Sequence, residues 1–223
     1  MARPLLPTVD VEPVEPHSGS IIWLHGLGAD GHDFEPIVPE LGLPHVRFVF
    51  PHAPRRCVTV NMGMLMPAWY DITDLGTAAG YDMGDVRESE EDVENLIARE
   101  TSRGIAPHRI LLAGFSQGAA IALYAGLRHP EKLAGILALS TYLIEAEALA
   151  TERSPANQST PIFQAHGTHD PLLPLPLGQL CRRQLEELGY DVEFHTYPMA
   201  HHVLPEEIRD VAAWLSRRVP RTS

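Results

Sequence analysis

Basic charge, cysteine and long apolar runs are all scarce in this chain. Lys and Arg number 17 against 29 Asp and Glu, a formal charge of −12 over 223 residues. That balance argues against a nucleic-acid binder, which carries a basic patch or stripe. It also removes the polybasic route to anionic membranes. No apolar run approaches the roughly 18 residues that a spanning helix needs, so no integral membrane segment is expected. The two cysteines, Cys57 and Cys181, stand far apart and make no disulfide framework. Such sparse thiols fit a reducing, cytoplasmic setting. The opening Met-Ala-Arg-Pro-Leu-Leu-Pro has no long apolar stretch, and acids and prolines follow at once, so no secretory signal is expected. Metal motifs are missing as well. There are 12 His, but no HExxH and no cysteine set. His166, His169 and Asp170 are close in sequence, and so are His201 and His202. Adjacent histidines point to different sides of the backbone and chelate poorly, so no metal is expected.

What remains is ordinary for a globular domain: 44% hydrophobic and 21% charged residues. Residues 1–18, with Pro4, Pro7, Pro13 and Pro16, read as an N-terminal extended arm or an edge strand. Residues 19–219 read as a single domain with no internal repeat. Apolar runs at Ser20–His25, Val46–Phe50, Ile110–Ala113, Gly135–Ser140 and Pro161–Gly167, with an alternating run at Asp191–Tyr197, predict strands. Between them, helices are predicted near 33–41, over 85–103 with Val86, Val93, Leu96 and Ile97 inward, over 119–127, over 176–188, and from Pro205 onward. Gly104 and Gly189 suit helix C-caps. Strands alternating with helices predict an α/β domain with a mostly parallel central sheet flanked by helices. The stretch Pro51–Gly80 is expected to be a long loop, and long loops in compact domains are usually functional.

In open α/β sheets, sites form beyond the C-terminal ends of the strands. Those ends carry His25-Gly26-Leu27-Gly28, Ser116, Asp170 and His201. Ser116 lies in Gly114-Phe115-Ser116-Gln117-Gly118, between a buried strand and a helix, which is the nucleophile-elbow pattern. Such a turn strains the serine backbone, and a side chain on either glycine would crowd the strand–helix crossing. The order Ser, acid, His is that of the α/β-hydrolase triad. A serine hydroxyl is a weak nucleophile until a base takes its proton. His201 is the candidate base, and Asp170 the group that would hold its tautomer and stabilise the imidazolium. The oxyanion of an acyl-transfer intermediate needs fixed donors. Candidates are the backbone N–H of Gln117, at the helix start, and that of Leu27, in the glycine-rich loop. On this reading Gln117 acts through its backbone and not its side chain.

HGLGADGHDF, FPHAP, VTVNMGMLMPAWYDI, GFSQGAA, GTHDPLLP and YPMAHHV together resemble the carboxylesterase and acyl-protein thioesterase (phospholipase/carboxylesterase) family of α/β-hydrolases. The resemblance runs from about Ile21 to Leu215. It implies an α/β-hydrolase fold without a large cap domain, no cofactor, and small-molecule ester or thioester substrates bearing an acyl chain. On the family pattern Ser116 is the nucleophile, Asp170 the acid, His201 the base, and the Leu27 and Gln117 N–H groups line the oxyanion hole. Two positions depart from it or complicate it. Ala119 stands where the family usually has glycine, and His201 is followed at once by His202, a second candidate base.

The resulting expectation is a serine carboxylesterase acting on short-to-medium acyl esters through an acyl-enzyme. Acyl-protein thioesterase or lysophospholipase activity on the same triad is the nearest alternative. A dienelactone-hydrolase-like enzyme would need cysteine where Ser116 stands. A hydrolase fold kept only for ligand binding would typically have lost a triad residue. Met62, Met64, Leu65, Met66, Trp69 and Leu75, with Leu172 and Leu173 after Asp170, are candidate walls of an apolar pocket. The loop residues read equally well as satellite core. Exposed apolar loops would also suit a homodimer interface.

Overall fold

Residues 3–74 and 80–221 are described by the structure, a computed structural model. In chain order the strands are β1 (Thr8–Val11), β2 (Gly19–Leu24), β3 (Val46–Pro51), β4 (Arg55–Val58), β5 (Met64–Pro67), β6 (Ile110–Phe115), β7 (Gly135–Leu139), β8 (Ile162–Gly167) and β9 (Val192–Tyr197). Seven of them form one sheet in the order β1-β3-β2-β6-β7-β8-β9. Every neighbouring pair is parallel except β1 and β3. The mostly parallel sheet expected from the strand–helix alternation is therefore present.

The inner strands are continuous apolar runs because helices cover both faces of the sheet. Residues Ile22, Leu24, Ile110, Leu112, Ile136 and Ala138 point to one side. There they meet α2 (Met83–Ser102), α3 (Gln117–Arg128), α4 (Ala146–Glu152) and α5 (Leu175–Glu187). Their neighbours Ile21, Trp23, Leu111, Ala113 and Leu137 point the other way, toward α1 (Val38–Leu41) and α6 (Pro205–Arg218). Each fully buried Leu, Ile or Val is worth about 1.5–3 kcal/mol, so these two layers hold the sheet. The helix α3 is buried from Gln117 to Leu127, and β6 next to it is the fourth of the seven strands. The serine between them thus sits at the middle of the sheet, beside a buried helix.

Three local readings change. The stretch expected to be one long loop holds a hairpin: β4 pairs antiparallel with β5, joined by a 3-10 turn at Thr59–Asn61 and by Met62 and Gly63, both with positive φ. Its strands are four residues long and only Val58 is buried, so no apolar alternation marks them. The helix expected near 33–41 is a 3-10 turn, Glu35–Ile37, followed by the single-turn α1, and Pro39 lacks the N–H that would carry one helix through both. In α6 the inward face expected at Ile208, Val211, Ala212 and Leu215 is Ile208, Val211, Trp214 and Leu215, with Ala212 only half-buried.

Within residues 1–18, β1 lies antiparallel along β3 and forms one edge of the sheet. Arg47, buried on β3, reaches Asp10 at 2.6 Å and Glu12 at 2.9 Å, and its other nitrogen meets buried Glu100 of α2. This cluster ties β1 to the sheet and to α2 through complementary charge.

Candidate active site

Ser116 joins β6 to α3 with φ 54 and ψ −119, a conformation that L side chains rarely adopt. Its neighbours hold it there. The Ser116 N–H donates to Leu139 O at 2.8 Å, and the Thr141 hydroxyl donates to Ser116 O at 2.8 Å. The two motif glycines are required by close approach. A Cβ at Gly114 would lie 2.5 Å from the Ala119 nitrogen, and one at Gly118 would lie 2.4 Å from the carbonyl oxygens of Leu24 and His25. The crossing of strand and helix is that tight because α3 starts directly against the ends of β2 and β6.

Asp170 follows β8 in a turn, and its side chain is fully buried. Its Oδ1 accepts from the Leu172 and Leu173 N–H groups at 2.9 Å each. Its Oδ2 accepts from His201 Nδ1 at 2.6 Å. His201, in the turn after β9, is largely covered, and its Nε2 lies 2.9 Å from Ser116 Oγ. Because the carboxylate can only accept, the Nδ1 proton belongs to the His201 ring, which leaves Nε2 as the acceptor facing the serine hydroxyl. Phe115 lies against the His201 ring, with centroids 4.8 Å apart. The two turns dock through backbone: His169 N donates to Met199 O at 3.0 Å, and a Cβ at Gly167 would lie 2.4 Å from Met199 O. His202 is exposed, and the ring hydrogen-bonded to Ser116 Oγ is that of His201.

The other histidines near this turn have different partners. His166 is buried and donates from Nε2 to Leu173 O at 2.7 Å, supporting the turn that feeds Asp170. Burial lowers its affinity for a second proton. His169 is exposed.

Ser116 and His201 open onto a cavity of about 300 Å³. Its apolar walls are Val60, Ile72, Phe115, Tyr142, Leu172 and Leu173. Asp33 and Asn61 bring polar groups to it, and burial raises the Asp33 carboxyl above its usual range. Leu27 and Gln117 line it too, and among the described residues neither backbone N–H has an acceptor.

Of the candidate pocket residues, the structure brings Leu172 and Leu173 to this cavity. Met62, Met64 and Leu65 instead stand on the exposed hairpin, with Met62 91% exposed. Met66 packs beside Asn61 and Gly28 without lining the cavity. Trp69 is fully buried in the core. Leu75 lies outside the described residues. The loop therefore does contribute to the wall, but through Val60, Asn61 and Ile72. Their signal was weak because the methionine-rich run beside them is the more conspicuous apolar stretch. Tyr142, just past the end of β7, was findable from the rule that sites form at the C-terminal ends of strands. The Gln117 side chain, set aside by sequence reasoning, is fully engaged: Oε1 accepts from Trp69 N at 2.8 Å, and Nε2 donates to Tyr70 O at 2.7 Å.

A mostly parallel sheet with a strained serine at a strand–helix junction defines an α/β-hydrolase, and among the described residues no large cap domain is added to it. Comparison with known proteins makes the class narrower: the sequence matches the phospholipase/carboxylesterase family over residues 8–218. The chain belongs to that family and is a hydrolase of the serine-esterase type. It is 41% identical over 216 residues to acyl-protein thioesterase 1 of Gibberella zeae, covering 92% of each chain. It is 40% identical over 230 residues to acyl-protein thioesterase 1 of Mycosarcoma maydis, covering 93% of this chain and 96% of that one. Among solved structures, Zea mays acyl-protein thioesterase 2 superposes with a TM-score of 0.86 at 30% identity, covering 96% of this chain and 99% of that one.

Proposed function

We propose that this hydrolase cleaves carboxylic esters of short-to-medium acyl chains through an acyl-enzyme on Ser116. The observation that carries the reading is the unbroken hydrogen-bonded line from Ser116 Oγ to His201 at 2.9 Å and on to Asp170 at 2.6 Å. In the first half-reaction Ser116 Oγ attacks the acyl carbon as its proton passes to His201 Nε2. Asp170 stabilises the resulting imidazolium and remains ionised. The negative charge that gathers on the carbonyl oxygen meets the free N–H groups of Leu27 and Gln117. The bond to the leaving alcohol or thiol then breaks, and that group takes the proton from His201. In the second half-reaction His201 takes a proton from water, the hydroxide oxygen attacks the acyl carbon, and the returned proton restores Ser116. Water is the co-reactant of the second half-reaction, and these side chains and amides carry the protons and charge in both steps. The cavity of about 300 Å³ lies at the small end of small-molecule sites, which favours short-to-medium acyl chains.

Thioester cleavage from acylated proteins is a second reading, supported by the names of the relatives at 40 and 41% identity. The two free cysteines suit a cytoplasmic protein, and exposed Met64 and Leu65 suit self-association.

Incubation with a fluorophosphonate tests the nucleophile. The expected adduct maps to Ser116, and folded Ser116→Ala is expected neither to label nor to hydrolyse p-nitrophenyl butyrate. Folded wild-type protein that neither labels nor turns over esters would overturn the reading. A chain-length series of p-nitrophenyl esters, run beside an acyl thioester, separates the two substrate classes.

A further inference from the structure

Leu27 and Gln117, whose backbone N–H groups have no acceptor among the described residues, line the cavity from elements far apart in the chain, and one buried network reaches both. We infer that His25, Trp69 and the Gln117 side chain are positioning residues that set the separation and direction of the Leu27 and Gln117 N–H groups. The inference rests on the proposed hydrolysis and assigns a role in it to three side chains that do not supply the reacting groups.

The network begins at the His25 ring, which is 2% exposed. Its Nδ1 lies 2.7 Å from Gly26 O, and its Nε2 accepts the Ala53 N–H at 3.1 Å. A carbonyl can only accept and an amide N–H can only donate, so the ring is neutral with its proton on Nδ1. Burial lowers the affinity of this ring for a second proton, which keeps that tautomer in place. The Gly26 carbonyl and the Leu27 N–H belong to one planar trans peptide and point in opposite directions. Holding Gly26 O against His25 therefore turns the Leu27 N–H away from it, and Leu27 lines the cavity.

From His25 the network continues through Trp69 to α3. The indole Nε1–H of Trp69 donates to His25 O at 2.9 Å. The Trp69 backbone N–H donates to Gln117 Oε1 at 2.8 Å, and Gln117 Nε2 donates to Tyr70 O at 2.7 Å. The Trp69 carbonyl is held in turn by the Ser89 hydroxyl of α2. Trp69 is fully buried and Gln117 is 2% exposed, so water does not compete for these bonds. The Trp69–Tyr70 segment thus bridges the loop that presents Leu27 and the residue whose own backbone is the second donor. Donors of this kind act only when they stand about 2.7–3.1 Å from the developing oxyanion, so a network that prevents sub-ångström drift bears directly on turnover.

The test compares Trp69→Phe, His25→Ala and His25→Asn with wild type, using p-nitrophenyl butyrate, thermal melts and a pH–rate profile. Trp69→Phe keeps the ring core and removes one N–H. His25→Ala frees the Gly26–Leu27 peptide, whereas the Asn amide places an N–H near the former Nδ1–H and restores the bond to Gly26 O. His25→Ala is expected to lower kcat by about 100-fold and Trp69→Phe by about tenfold, the scale of a misplacement of up to 1 Å. In both, KM and the pH midpoint stay near the wild-type values, because the apolar walls at Tyr142, Leu172 and Leu173, together with His201 and Asp170, are untouched. His25→Asn is expected to regain most of the lost kcat. A purely structural role would instead make kcat follow the folded fraction, with Asn no better than Ala. Wild-type kcat in folded Trp69→Phe and His25→Ala would overturn this inference and leave the proposed hydrolysis standing. An inert wild-type enzyme would overturn both. If His25→Ala does not fold, Trp69→Phe and His25→Asn still decide the matter.

Discussion

Replacing Asp170 by Asn alters one functional atom, and the surroundings dictate which way the new amide turns. The oxygen Oδ1 accepts two N–H groups, from Leu172 and Leu173, at 2.9 Å each. An NH2 group placed there would face two donors in a fully buried site. The Asn carbonyl therefore takes that position, and its NH2 faces His201 Nδ1, where Oδ2 had accepted at 2.6 Å. A donor in that place makes Nδ1 the acceptor, so the neutral ring carries its proton on Nε2. That nitrogen is the one 2.9 Å from Ser116 Oγ, and once protonated it cannot take the serine's proton. In serine-protease triads the same exchange lowers kcat by about 10⁴, or about 5 kcal/mol at 1.36 kcal/mol per decade. Asp170 does not line the cavity, so KM is expected to stay near the wild-type value. The assay is kcat and KM on p-nitrophenyl butyrate near pH 8, with circular dichroism to verify the fold. Folded Asp170→Asn that retains more than about a tenth of wild-type kcat would refute the tautomer argument.

Two further changes probe the packing and the charge state. Gly118→Ala would put a methyl 2.4 Å from two backbone oxygens, which cannot rotate aside, so α3 must retreat from β2. It is expected to destabilise the protein by about 1–3 kcal/mol and to lower kcat, and an unchanged melting temperature would contradict the close approach. Burial pushes the Glu207 carboxyl up to about 8 from 4.5, offset only in part by the Leu204 backbone. A folded-state value raised in this way stabilises fully below pH 4.5 and loses that contribution as pH rises through 8. Glu207→Gln is therefore expected to raise the melting temperature at pH 8.5 and to change it little at pH 5. Equal effects at both pH values would show that Glu207 is not held neutral.

The parts legible in the sequence were those whose cause is local. The strands β2, β6, β7 and β8 read as apolar runs because both of their faces are covered. The glycines around Ser116 read as a tight turn because no other residue tolerates those approaches. Ser116, Asp170 and His201 were findable because each follows a strand, and strand ends in this architecture share one edge of the sheet. Three features were not legible. The hairpin β4–β5 has no alternation because neither face is well buried. The walls Val60, Asn61 and Ile72 sit beside a more conspicuous methionine run. The engaged side chain of Gln117 depends on Trp69 and Tyr70, partners 48 and 47 residues away, and no local pattern reports such a bond.

The strand order has a consequence for how this chain gains activity. The glycine-rich loop follows β2, the serine follows β6, the aspartate follows β8 and the histidine follows β9, the strand at the far edge. Each is supplied by a different crossover, and the imidazole arrives last in the chain. On the proposed triad, a ribosome-bound or truncated intermediate that ends before Tyr197 would have its serine but no base to reach it. Under the proposed function, ester turnover would report that the sheet has closed through its last strand. In a refolding experiment it should recover with the slowest phase that native structure requires, later than any signal from the tryptophan on β2.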